Sequence, residues 1–216
     1  MAGESKPYLI GVAGPSCSGK TELSRSLVAQ LDATLVQLDW YYFDLSGRSM
    51  EDRARVNFDA PAALDETLFF QQLHELATGN TIERPVYDFA THTRLPQVER
   101  VAPSRYIVVE GLFVLYWERV RQLFGTKVFV DLDDDVCLER RICRDTRERG
   151  RTRESVVRQF RETVVPMARL YVRPARTLAD IVVPGDNPMD SNIAVVMAHI
   201  ERYASRPAAN QAGASR

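Results

Sequence analysis

The segment Gly14-Pro15-Ser16-Cys17-Ser18-Gly19-Lys20-Thr21 has the spacing G-x-x-x-x-G-K-T, and it stands between a short apolar run, Tyr8 to Ala13, and a stretch of helical periodicity. This placement constrains the fold more than any other feature, because the pattern works as the link between a buried strand and the first turn of a helix. The glycines let backbone N–H groups close around a phosphate, and the start of the helix adds the positive end of its dipole. Lys20 supplies a point charge and Thr21 offers a hydroxyl to Mg²⁺. An accidental Gly/Ser turn could carry the same string, but a strand before it and a helix after it favour a phosphate-binding loop.

Four more β-branched runs, Thr34 to Leu38, Tyr106 to Val109, Lys127 to Leu132 and Ile181 to Val183, are too brief for helices and alternate little, as parallel strands buried on both faces do. Between them, apolar stripes mark amphipathic helices: Leu23, Leu27 and Leu31 in the first, Leu64, Leu68, Leu73 and Leu76 in the second, and Ile193, Val196, Met197 and Ile200 in the last. Thr152 to Val172 reads as a further helix that Pro166 must kink or restart. The alternation predicts an α/β fold, a parallel sheet covered by helices on both faces, with ligands at the carboxyl ends of the strands. Residues 82–101, with Pro85 and Pro96 inside and Pro103 close by, predict a β-hairpin beside the sheet. Residues 205–216, rich in Ala, Pro, Asn and Gly, predict a disordered tail, which leaves residues 1–204 as one domain.

Charge is informative only locally. Lys and Arg number 28 against 29 Asp and Glu, so no overall field draws the chain to nucleic acid or to an acidic membrane. Residues 139–154, however, hold Arg140, Arg141, Arg144, Arg147, Arg149, Arg151 and Arg153. A solvated helix laced with Glu and Asp pairs is one reading, but such pairs contribute only about 0.3–0.5 kcal/mol each and do not require so many arginines. Beside a phosphate loop, a lid that brings guanidinium groups to bound phosphates is the economical reading, with Gly150 as its hinge. Cys17, Cys137 and Cys143 have no metal-ligand spacing and leave one thiol over in any pairing, which suits a reducing compartment. With no secretory leader and no apolar stretch approaching the roughly eighteen residues a span needs, a cytoplasmic location without membrane contact is expected.

Phosphoryl transfer to a hydroxyl also needs a carboxylate to accept its proton and oxygen ligands for the metal. Asp39 and Glu110 each follow an apolar run, which puts both on the edge that carries the phosphate loop. Asp131, Asp133, Asp134 and Asp135 are read as helix-capping or turn-forming residues.

At this level of detail the chain resembles the uridine kinase (uridine–cytidine kinase) family from about Tyr8 to Gly185. The resemblance is carried, in the family's order, by the phosphate loop, Leu38-Asp39-Trp40-Tyr41-Tyr42, Asn57-Phe58-Asp59, the stretch from Pro85 to Arg94, Glu110-Gly111, Phe129-Val130-Asp131, the arginine segment and Ala179 to Pro184. It implies a P-loop kinase fold with a hairpin insertion and an Arg-rich helical lid. It also implies an enzyme that moves the γ-phosphoryl of ATP or GTP, with Mg²⁺, to the 5′-hydroxyl of a pyrimidine ribonucleoside, in a homo-oligomer, often a tetramer. Position by position, it makes Asp39 the general base, gives Lys20 the phosphate, and has Thr21, Asp39 and Glu110 arrange the metal. Asp59 and Arg141 grip the ribose hydroxyls, while Tyr87, Phe89 and His92 form the base pocket. Tyr42 and Phe58 line its entrance, Gln159 touches the nucleoside, and Arg144, Arg149 and Arg151 reach the phosphates. Two positions depart from the family's usual residues: Trp40 replaces a small residue, and Glu22 replaces a second hydroxyl residue after the phosphate loop. The competing readings are a related kinase of the same fold, acting on a phosphorylated sugar or pantothenate, and a nucleotide-binding regulator that transfers nothing.

Overall fold

Along the first strand, side chains alternate between two faces and both faces are buried: Leu9 and Ala13 enter one apolar cluster, Ile10 and Val12 another. A computed structural model describes residues 6–204, so the tail predicted at 205–216 lies outside the described residues. In chain order the elements are β1 (Tyr8–Ala13), α1 (Lys20–Leu31), β2 (Thr34–Gln37), α2 (Met50–Ala54), α3 (Glu66–Ala77), β3 (Ile82–Asp88), β4 (Thr93–Val101) and β5 (Tyr106–Glu110). They continue as α4 (Glu118–Arg121), β6 (Thr126–Asp131), α5 (Asp134–Glu148), α6 (Arg153–Gln159), α7 (Val165–Met167), β7 (Ile181–Pro184) and α8 (Met189–Ala204).

Five strands form one parallel sheet in the order β2-β5-β1-β6-β7. The same alternation runs across it. Ile107, Val109 and Phe129 join the face covered by Phe69, Leu73 and Phe113, whereas Val108, Val128, Val130, Ile181 and Val183 join the face covered by Leu23 and Leu27 of α1 and by Ile193, Val196 and Ile200 of α8. Each such side chain contributes about 1.5–3 kcal/mol when it is fully buried. This is the parallel sheet with two covered faces that the alternating pattern predicts.

Register decides where function is placed. Val12 of β1 and Gln37 of β2 both stand opposite Glu110 of β5, so the carboxyl ends of three neighbouring strands are level. The chain runs from β1 to β2 on one side, returns to β5 beside β1, and then crosses to β6 on the other side of β1; this reversal opens a crevice at those ends. The hairpin β3–β4 stands apart as a two-stranded antiparallel sheet over the residues predicted for it.

Three details differ from the sequence expectations. Leu64 lies outside the second helix: it pairs with Tyr42 in an isolated antiparallel bridge, and Asp65 starts α3 by accepting from the Leu68 N–H. The stretch from Thr152 to Val172 is helical, but π-helical turns at Phe160–Val164 and Ala168–Val172 flank α7, with Pro166 in the first turn of that short helix, where a missing N–H is tolerated. Among the acids near the end of β6, Asp133 caps α5 as expected, whereas Asp131 pairs with Arg173 and Arg176, and Asp134 with Arg173.

Candidate active site

The loop from Gly14 to Gly19 returns the chain from β1 into α1 with positive φ at Gly14, Cys17 and Gly19. Gly14 has no alternative, because a Cβ there would stand 2.5 Å from the Val130 carbonyl oxygen and 2.7 Å from the Ser18 Oγ. The far side of the loop is gripped by the segment after β7. A Cβ on Gly185 would run into the Ser18 carbonyl oxygen, and the Arg140 guanidinium donates to the carbonyls of Gly185 (3.1 Å) and Cys17 (3.5 Å). Pro15 is buried, Ser16 and Lys20 are half-buried, and the amides of the loop open a helix of twelve residues, the setting in which an anion is held by backbone donors and dipole.

Thr21, in the first turn of α1, donates from its hydroxyl to Glu110 Oε1 at 3.4 Å, and Gln37 donates to the same oxygen at 2.8 Å. Glu110 is thus buried, at 5 % exposure, and held from helix α1 and strand β2. Asp39 lies in a 3₁₀ turn, Leu38–Tyr41, immediately after β2. As a residue it is exposed, yet protein atoms lie close enough around its carboxyl to desolvate it. That partial desolvation, with repulsion from Glu110, raises its carboxyl above the ordinary carboxylate range; Lys20, Arg149 and Arg144 face it and oppose the shift. One cation from the phosphate loop, two from the arginine segment and two acids from adjacent strands therefore share one crevice.

The hairpin supplies an aromatic wall. Tyr42 is buried between Phe58 (5.5 Å, edge-on) and Tyr87 (5.4 Å), and its hydroxyl donates to the Phe58 carbonyl at 3.1 Å. His92 stacks on Phe58 at 4.4 Å. Burial and the nearby Arg53 lower its imidazole from the ordinary value against the pull of Asp88. Strand β3 ends at Asp88, so Phe89 lies beyond the strand that carries Tyr87. Its ring turns back from the hairpin tip to meet Tyr87 edge-on at 5.1 Å and stays exposed. Burial pushes the Tyr87 hydroxyl up to about 12, and this hydroxyl has no hydrogen-bond partner among the described residues.

Arg94, opposite Tyr87 across the hairpin, fastens this wall to the rest of the site. It donates to the carbonyls of Tyr41 (3.2 Å) and Tyr42 (2.9 Å) and pairs with Asp65 at 3.2 Å. Trp40 packs against the core and carries the Arg84 guanidinium 3.7 Å above its ring. Glu22 is exposed and pairs with Arg25.

The arginine segment is one helix, α5, followed by a turn in which Gly150 has φ of 61°. It does not behave as one unit. Arg147 is exposed and Arg153 pairs with Glu139 at the surface, as in a solvated helix. Arg141 instead is buried and donates to Ser16 Oγ of the phosphate loop (3.0 Å) and to Gln159 Oε1 (3.2 Å), which also accepts from Arg151 at 2.6 Å. Asp59 faces Arg141, Arg151 and Arg144; burial nevertheless raises its carboxyl. Between α2 and α6 a cavity of ≈ 360 Å³ is lined by Phe58, Asp59, Arg151 and Gln159, among others.

Four contributors were not singled out in the sequence for a role: Gln37, Arg94, Arg140 and Asp145. Asp145 is fully buried and meets Arg141, Arg144, Arg149 and Arg151. An acid directly after Arg144, inside the most basic stretch of the chain, was the available signal for it.

Residues 9–190 match the family described as Phosphoribulokinase / Uridine kinase family. A protein named uridine kinase from Ligilactobacillus salivarius (strain UCC118) is 43% identical over 197 residues, covering 89% of this chain and 92% of the relative. Another of that name, from Halalkalibacterium halodurans, is 41% identical over 206 residues, covering 92% and 98%. Among solved structures, a phosphoribulokinase from Rhodobacter spheroides superposes with a TM-score of 0.63 at 16% identity, covering 85% of this chain and 74% of that one, a likeness of fold.

Proposed function

The chain belongs to the phosphoribulokinase / uridine kinase family, and from that premise we propose that it phosphorylates the 5′-hydroxyl of uridine or cytidine with ATP or GTP as donor. The observation that carries this reading is the convergence of Asp39, Lys20 and Glu110 at level strand ends, beside an aromatic wall and an acid–arginine pair. Phosphoryl transfer is mostly positioning and charge stabilisation, and the crevice supplies both.

Asp39 accepts the proton of the attacking hydroxyl. Lys20 and the loop amides from Gly14 to Thr21 hold the donor's phosphates, and Arg144, Arg149 and Arg151 meet the charge on the transferring group. The hydroxyl of Thr21 and the carboxylates of Glu110 and Asp39 are hard oxygen donors, the kind Mg²⁺ takes beside water and phosphate. Held there, Mg²⁺ neutralises phosphate charge. Asp59 and Arg141 offer acceptors and donors to vicinal ribose hydroxyls, a pairing supported by their mutual electrostatic reach. Tyr87, Phe89 and His92 receive the base at the hairpin, Tyr42 and Phe58 support them, and Gln159 borders the ribose side. The reading includes a homo-oligomer, carried by the family resemblance and checked by light scattering, and a cytoplasmic setting, which suits the free thiols of Cys17, Cys137 and Cys143. No helix among the described residues is long and apolar enough to cross a membrane.

A coupled assay with uridine, cytidine, deoxycytidine and adenosine, each with ATP and with GTP, tests the assignment. Turnover of the pyrimidine ribonucleosides is expected, and absence of turnover on both rejects it.

Two further outcomes follow from the geometry. Because Asp39 must be ionised to accept a proton and its carboxyl is raised, kcat/KM is expected to fall with decreasing pH through a midpoint above the ordinary carboxylate range of about 4. A profile flat down to that range removes Asp39 as the base. Tyr87→Phe is expected to leave the fold as stable or slightly more so, because it deletes a buried hydroxyl with no partner, a group that typically costs about 1–3 kcal/mol. The same substitution should raise KM for uridine roughly tenfold if the base supplies that partner. Unchanged KM separates Tyr87 from base recognition.

A further inference from the structure

Asp145 is the least accessible charged residue of the arginine segment, at 0% exposure, and nothing in the reaction assigned above uses it. One of its carboxylate oxygens accepts from Arg144 Nε at 2.9 Å and lies 3.7 Å from Arg149 Nη1. The other lies 3.6 Å from Arg141 Nε and 3.5 Å from Arg151 Nη1. Its main-chain carbonyl accepts from the N–H groups of Arg149 and Arg151, each at 3.2 Å, across the left-handed turn at Gly150. One residue thereby fixes both the backbone of the turn and the side chains it carries.

The charge balance around it is lopsided. Four guanidinium groups share one carboxylate, an excess of three positive charges; Asp59, which faces Arg141, Arg151 and Arg144, and Asp39, which faces Arg149 and Arg144, still leave one. A buried carboxylate is costly to desolvate and persists only with close counter-charges. Four clustered guanidinium groups without an acid among them would repel one another and spread. The cluster is therefore stable and incomplete together: ordered by Asp145, yet still net positive where Arg141 reaches Ser16 of the phosphate loop. Arg141 also keeps a buried Nε with no hydrogen-bond partner among the described residues, so the member that reaches the phosphate loop is not saturated.

We propose that Asp145 is the positioning residue of this arginine cluster: it holds the phosphate-contacting Arg144, Arg149 and Arg151, together with Arg141 of the ribose side, in one array before the donor nucleotide arrives, and the phosphate oxygens supply the charge the array lacks. This rests on the kinase reading given above. Preassembly of this kind acts on turnover, because donors already aimed at developing charge need no reorganisation during transfer. It should act little on ground-state affinity for a polyanion, since removing one negative charge makes the cluster more attractive to phosphate.

The test compares the full-length chain with Asp145→Asn in three measurements. Turnover of uridine should fall about 100-fold. The Kd for ATP, read by calorimetry, should stay within twofold of the unsubstituted chain or become tighter. Sulfate should raise the Tm of the variant more than that of the unsubstituted chain, because the anion replaces the missing charge. A kcat within threefold of the original overturns the proposal, as does a Kd that weakens in step with kcat or a sulfate response no larger than that of the original chain. If Asp145→Asn does not fold, Asp145→Glu, which keeps the charge but displaces the four partners, takes its place, with reduced kcat and retained ATP affinity expected. Failure of both to fold, even in sulfate, assigns the carboxylate to fold maintenance and overturns the role. If the unsubstituted chain does not turn over uridine, the kinase assignment fails, while the ATP affinity and the sulfate response still decide what Asp145 does.

Discussion

Asp39→Asn is expected to lower kcat by roughly 10³-fold, within the span attributed to general acid–base groups, while the Kd for ATP stays within about twofold, because the loop amides and Lys20 that hold phosphate are untouched. Asparagine keeps the size of the side chain and removes its ability to take a proton. The substitution carries a second signature. Asp39 binds its proton more tightly in the folded chain than in the unfolded one, so its contribution to stability is fully present below the unfolded value and is lost as pH rises through the raised folded value. At neutral pH the ligand-free chain therefore carries an unfavourable charge there, and Asp39→Asn should melt at a higher temperature than the original. Kinetics, calorimetry and melting without ligand check the three parts. Turnover within tenfold of the original would end the assignment of Asp39 as base, whatever the melting shows.

Arg144→Ala and Arg149→Ala are each expected to lower kcat by about 10³-fold, the lower end for arginines that meet charge in phosphoryl transfer, with KM for the nucleoside changed only a fewfold. Both face Asp39, but they are held differently. Arg144 is locked by its Nε at 2.9 Å from Asp145, whereas Arg149 is 54% exposed and only 3.7 Å from the same carboxylate. Arg149 is thus the freer to follow the transferring group, and Arg144 the better aimed beforehand. Arg144→Lys should recover little, because an ammonium cannot pair with Asp145 through Nε and present a planar fork to phosphate together. Losses confined to KM, with kcat retained, would move both residues from transfer to simple binding.

Much of the architecture was legible because parallel strands and amphipathic helices announce themselves through short apolar runs and helical stripes. The hairpin at residues 82–101 was readable from another local signal, prolines spaced through a mixed apolar and polar stretch. What escaped depends on contacts between distant parts of the chain. Leu64 lost its helical place to the Asp65 cap, and Gln37 found Glu110 only through strand register. The arginine segment could be read as solvated or functional, and it is divided: Arg147 and Arg153 behave as surface charges, while Arg141, Arg144, Arg149 and Arg151 gather on Asp145. Composition counts charges without showing which of them share a centre. Trp40, which the resemblance marks as a departure from a small residue, packs against the core with the Arg84 guanidinium over its ring, a long-range contact no local pattern shows.

Arg94 ties the hairpin to the Tyr41 and Tyr42 carbonyls, in the turn that begins with Leu38 and Asp39. On the reading proposed above, the part of the molecule that judges a nucleobase and the part that draws off the proton are therefore braced to each other. On that reading a poorly shaped base that tilts the hairpin would also drag Asp39 out of line, so discrimination among nucleosides is expected in the speed of transfer as well as in how tightly they are held.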